Sequence, residues 1–137
     1  MVMNLEAAAE RAARQMLLAA DPDHGGKTSR GSYQEAHVIL ALDEAGQLEG
    51  PVTRRLERGR GDCTDATEQD WDVKGYYDDG RHPQFDVAVC LEDIRWEVMC
   101  GEKVIMDLEN VRDPANRRAL HQAVDAAGLA DQVRWYE

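Results

Sequence analysis

The chain has 137 residues, 43% of them hydrophobic, with 27 acids against 16 bases and a net charge of −11. A chain of that size forms one domain that folds without disulfide or metal staples, and the hydrophobic fraction excludes intrinsic disorder. No apolar run approaches the ~20 residues of a membrane span, and the acid excess disfavours direct nucleic-acid binding because phosphates are repelled.

The charge is uneven. Residues 1–60 hold nine acids and eight bases, residues 61–110 hold fourteen and four, and residues 111–137 hold four of each. A surface built from the middle stretch attracts a basic protein, or a protein surface that normally holds nucleic acid. The N-terminus, MVMNLEAAAERAA, has acids and no basic stretch before an apolar core, so no signal peptide is expected. The cysteines, Cys63, Cys90 and Cys100, are odd in number and lack metal-ligand spacing, which reads as reduced thiols in the cytoplasm.

Taken in order, Asn4 is an N-cap for a helix from about Leu5 to Ala20. Leu5, Ala8, Ala9, Ala12, Met16 and Ala19 share one stripe of it, expected to pack on the sheet. Asp21 to Ser32 is a loop by its Pro, Gly and Ser content. Its Asp21-x-Asp23 start fails the calcium-loop pattern at the twelfth position, Ser32. Ala36 to Leu42 alternates like a strand, and Asp43 to Gly46 reads as a hairpin turn with Gly46 left-handed. Arg54, Arg55, Arg58 and Arg60 form the basic cluster, read as neutralising the acidic sheet that follows or as a plain solvated edge. A strand is expected from about Asp70 to Tyr77, turning at Asp79-Gly80.

The organising stretch is Phe85 to Glu109. Phe85, Val87, Val89 and Leu91 alternate with polar or small residues. Ile94, Trp96, Val98 and Cys100 form a second run, and Val104, Met106 and Leu108 a third. Read at a period of two, with a three-residue loop at Gly101-Glu102-Lys103, these form an antiparallel meander with one apolar face. Asp113 and Pro114 then start a second helix, Ala115 to Ala127, which Gly128 stops. Val133 and Trp135 pin the terminus to the core. The expected fold is a single α+β domain over residues 1–137, an antiparallel sheet of about five or six strands packed by an N-terminal and a C-terminal helix.

Catalytic chemistry finds little footing. No serine, histidine and acid are locally arranged, and acids flank Cys63, which suppresses thiolate. Asp70 and Asp72 share one strand face, as metal-dependent hydrolysis requires, yet the acids lie on the expected water side rather than in a concave pocket. The reading is therefore a non-enzymatic protein without a cofactor or metal, which binds a basic partner through an acidic sheet face. The expected contacts are Asp70, Trp71, Asp72, Tyr76, Tyr77, Asp78, Asp79, Asp86, Glu97, Asp107 and Glu109. Its specific version is an inhibitor that mimics nucleic acid, as phage anti-CRISPR and anti-restriction proteins do. The alternatives are a toxin-immunity protein or secretion chaperone, and a metal-dependent hydrolase using the clustered aspartates.

Overall fold

The computed structural model describes residues 4–20, 26–54 and 61–137. Asp21, Asp23, Arg55, Arg58 and Arg60 lie outside the described residues. The chain divides into two compact units, Met1–Glu68 and Gln69–Glu137.

In the first unit, Asn4 accepts the Glu6 N–H and caps α1, Leu5–Ala19. The cap and the helical period both point to this helix, but the stripe expected to pack on the sheet does not do so: Ala19 is buried and Ala8 half-buried, Leu5, Ala9, Ala12 and Met16 are exposed, and α1 lies against the next helix. The second element differs in type. Where a strand and hairpin are expected, the chain forms α2, Arg30–Glu44. Ser29 and Ser32 cap it reciprocally, each side chain accepting the other's N–H at 3.1 and 2.8 Å. Gly46 is left-handed, as expected, with φ 73. It ends a helix, however, since Gln47 N–H reaches back to the Leu42 carbonyl at 2.9 Å. Arg11 and Arg14 of α1 bind Glu44 and Asp43 of α2 at 2.8 and 3.0 Å. The short strand β1, Cys63–Thr64, meets Thr53 in an antiparallel bridge.

The second unit is a run of alternating strands and helices. These are β2 (Asp70–Gly75), α3 (Val87–Met99), β3 (Lys103–Asp107), α4 (Pro114–Ala126) and β4 (Val133–Tyr136). β2 runs parallel to β3, with Asp72 beside Val104. β3 runs parallel to β4, with Val104 beside Val133. Among the described residues there are four helices and four strands in mixed pairing. The expected antiparallel sheet of five or six strands is thus overturned.

The physical reason lies in Phe85 to Met99. The residues that alternate there also repeat at helical spacing: Val87, Cys90, Leu91, Ile94 and Val98 fall on one helix face. The ends decide between the two periods. Asp86 accepts the Val89 N–H at 3.1 Å as an N-cap. At the other end Gly101 takes φ 86. Its N–H bonds the Val98 carbonyl at 3.0 Å and the Glu102 N–H bonds that of Glu97 at 2.9 Å, the paired closure of a helix C-terminus. With a helix in place, the chain between β2 and β3 is a crossover, so the strands run parallel rather than as a meander.

Cys90 and Ile94 of α3, Leu120 and Val124 of α4, and Val104, Met106 and Val133 of the strands form one buried cluster. Both helices therefore lie on the same side of these strands. Burying a side chain such as Ile94 completely stabilises the unit by about 1.5–3 kcal/mol. Asp113 and Pro114 open α4 as expected, with Asp113 accepting the Ala115 N–H at 2.9 Å.

Candidate docking surface on the third helix

An inward face fixes an outward one. Because Cys90 and Ile94 are buried, residues 89, 92, 96 and 99 point away from the core at helical spacing. Three of them are large and apolar: Val89, Trp96 and Met99 are 45%, 63% and 80% exposed. A shallow open groove of about 520 Å³ lies at Trp96 and Met99 but not at Val89, lined by Ala88, Glu92, Asp93, Arg95, Trp96 and Met99. Asp86, Glu92, Asp93 and Glu97 against Arg95 give this helix and its cap an acid excess. Trp and Met are residue types enriched in the cores of protein interfaces, and charged residues are typical of their rims.

The groups behind the stripe are tightly tied. Lys74 lies between Asp72 and Glu97, 2.8 Å from each. Burial acts to lower its pKa, but the two carboxylates outweigh burial and hold it protonated above its ordinary value. Burial likewise opposes ionisation of Glu97. Donation from Glu102 and Lys74 overrides it and keeps Glu97 below the usual range. Glu102 moves the other way. Burial, the bond to Glu97 and the charges of Glu97, Asp72 and Asp70 push it up to about 8. The two glutamates thus share one proton near neutral pH. Tyr76 donates its hydroxyl to Asp93 at 2.5 Å, and burial first, then that bond, raises its pKa.

The expected contact residues do not gather on one face. Asp70 and Trp71 are buried, and Trp71 lies under the cations of Lys103 and Arg134 at 5.7 and 5.3 Å. Asp70 and Asp72 share one side of β2, as the sequence indicates, whereas the register puts Asp107 on the other side of its strand. Tyr76 is buried and bonded to Asp93, and Asp72 and Glu97 pair with Lys74. The Arg81 guanidinium stacks 4.3 Å from the half-buried Tyr77 ring and binds Asp79 at 2.7 Å. Asp78 accepts the Asp113 N–H and the Asn116 amide at 2.9 and 3.2 Å, tying the start of α4. Asp86 caps α3. Asp107 accepts the Glu109 N–H at 2.9 Å, and Glu109 is exposed.

The sequence reading misses Val89 and Met99 as surface residues and places Trp96 on the apolar side. The signal is present nonetheless: removing the helical set 87, 90, 91, 94 and 98 leaves Val89, Glu92, Trp96 and Met99 as a second stripe.

Other chemistry is muted. Burial, then the charges of Asp62 and Asp65, raises the Cys63 thiol, and burial pushes Cys90 up to about 11, so neither supplies thiolate at neutral pH. Among the described residues no three His, Cys, Asp or Glu side chains are grouped to hold a metal ion. No helix among them is long and apolar enough to cross a membrane. The chain matches no protein-family model, no curated protein and no solved structure.

Proposed function

We propose that this chain is a non-enzymatic binding protein of the cytoplasm that docks a basic protein partner on the outer face of α3. The observation that carries the reading is the exposed stripe of Val89, Trp96 and Met99 in an acid-rich helix. Trp96 and Met99 supply the desolvated centre, and Glu92, Asp93 and Asp86 supply a rim that steers a cationic surface.

The specific version is an inhibitor that occupies a nucleic-acid-binding surface of an effector complex, in the manner of anti-CRISPR and anti-restriction proteins. It is supported by the ten-charge acid excess of residues 61–110, which repels nucleic acid and favours the basic surfaces that hold it. A toxin-immunity protein or secretion chaperone uses the same docking chemistry with a different partner.

Affinity capture from source-cell lysate, with mass spectrometry, tests both levels. The expected prey is a basic protein that binds at low salt and elutes as salt rises through several tenths molar, where the Debye length falls to a few ångströms. Prey whose retention ignores salt would retire the electrostatic part. Competition between the purified prey's nucleic acid and this chain would support the inhibitor version, and simultaneous binding would exclude it.

A further inference from the structure

Along α3, Val89, Glu92, Trp96 and Met99 are all exposed. Their spacing of i, i+3, i+7 and i+10 is the three-and-four step of a heptad seam, held over about three turns and ~15 Å. Val87, Cys90, Leu91, Ile94 and Val98 take the other side of the helix and pack on the core. Glu92, Arg95, Trp96 and Met99 stand at i, i+3, i+4 and i+7. On a helix surface those are the four corners of the hole that receives one side chain of a facing helix. All four are exposed and all four line the groove, with Ala88 and Asp93 at its margins.

The chemistry of the corners says what fits. Trp96 and Met99 offer a broad ring and a flexible thioether, which together accept an apolar side chain. Glu92 lies in the seam itself, and among the described residues no hydrogen bond or ion pair engages its carboxylate. A helix laid on Trp96 and Met99 withdraws that carboxylate from water, which costs stability unless a cation meets it. The occupant therefore brings a lysine or arginine one turn from its apolar residue. Arg95 stands at the flank, where its guanidinium stays in water. A second copy of this chain is a poor occupant, since two chains of −11 repel. An extended strand repeats every two residues along a flat face and does not match four corners set around a helix.

Resting on the α3 docking surface already proposed, we infer that the partner enters it as an amphipathic α-helix, with an apolar side chain seated between Trp96 and Met99 and a lysine or arginine one turn away against Glu92. A contact of about three turns buries less than the ~1,200 Å² of a standard stable interface. An isolated helix accordingly binds with a Kd on the order of 10–100 μM.

Fluorescence anisotropy with two labelled peptides tests this on the full chain. Both peptides run for three heptads and are held helical by staples on the outer side. The first carries leucine along its seam, with one lysine there a turn from the central leucine. The second has the same composition with the leucines moved off the seam. Wild type is expected to bind the first at least about tenfold tighter than the second. Trp96→Ala weakens the first at least about tenfold. Exchanging its lysine for glutamate weakens binding to wild type about tenfold, and Glu92→Lys reverses that preference. Both substituted positions are exposed, and circular dichroism checks that the fold is kept. Equal binding of the two peptides, undiminished binding by Trp96→Ala, or a lysine preference that survives Glu92→Lys would each overturn the inference. Wild type that dimerises alone through Trp96, read by sedimentation, would give the face to a second copy and overturn it as well. Capture of basic prey on wild type but not on Trp96→Ala, with neither peptide bound, would overturn the helix and leave the docking surface standing.

Discussion

Replacing Glu102 with glutamine gives a sharp test of the second unit's electrostatics. Glu102 is pushed up to about 8 from an ordinary 4.5, first by burial and then by Glu97, Asp72 and Asp70. One buried carboxyl oxygen has no hydrogen-bond partner. Between those two pH values the folded chain holds a proton that the unfolded chain has lost, so stability falls as pH rises through the window and levels above it. Fully enclosed, such a group would change stability by about 4–5 kcal/mol. Glu102 is only half-buried, and solvent screening reduces the effect to about 1–2 kcal/mol. A glutamine amide at this position still donates to Glu97 but cannot ionise. Urea unfolding followed by tryptophan fluorescence reads this unit, because Trp71, Trp96 and Trp135 all belong to it. Glu102→Gln is expected to stabilise by about 1–2 kcal/mol at pH 8.5, with the gain shrinking towards pH 5. The depressed Glu97 acts in a separate window, losing its contribution only as pH falls below the ordinary carboxylate range. A gain that is constant with pH, or wild-type stability that is flat between pH 5 and 8, would refute the reasoning.

Tyr76→Phe removes the hydroxyl donated to Asp93 and is expected to destabilise the unit by about 1–3 kcal/mol in the same urea assay, since it strands a partly buried carboxylate. Gly101→Ala forces a Cβ into φ 86 at the end of α3 and is expected to lower stability by about 1 kcal/mol, although the space around it is open. Thiol titration of the native protein is expected to label Cys100 quickly, because it is exposed, and to reach the buried Cys63 and Cys90 only on unfolding.

The two terminal helices are legible in the sequence because every local signal agrees. Asn4 caps, the α1 stripe keeps one period, and Asp113-Pro114 opens α4. The strand at Asp70 and that at Val104 are legible for the same reason. The stretches 36–42 and 85–100 are not, since each fits both a period of two and one of 3.6. What separates the periods is chemistry at the ends. Ser29 with Ser32, and Asp86, start helices, while Gly46 and Gly101 close them. Both glycines read equally well as hairpin residues, because a hairpin loop and a helix C-terminus need the same left-handed backbone. Taking Gly101 for a hairpin residue turns a crossover into a meander and hence parallel strands into antiparallel ones. The candidate surface suffers from the same error: acids are visible in sequence, but that Asp86 caps, Asp78 tethers α4 and Trp96 faces outward depends on the helix.

The docking claim rests on Trp96 most directly. Full-length wild type and Trp96→Ala, used as parallel baits at low salt, measure it through the recovery of the same basic prey. An exposed hot-spot tryptophan contributes at least about 2 kcal/mol to binding, so recovery on Trp96→Ala is expected to fall about thirtyfold in affinity terms. Its unfolding midpoint should stay within about 0.5 kcal/mol of wild type, as for other surface changes. Equal recovery on both baits would contradict the assignment of the α3 face.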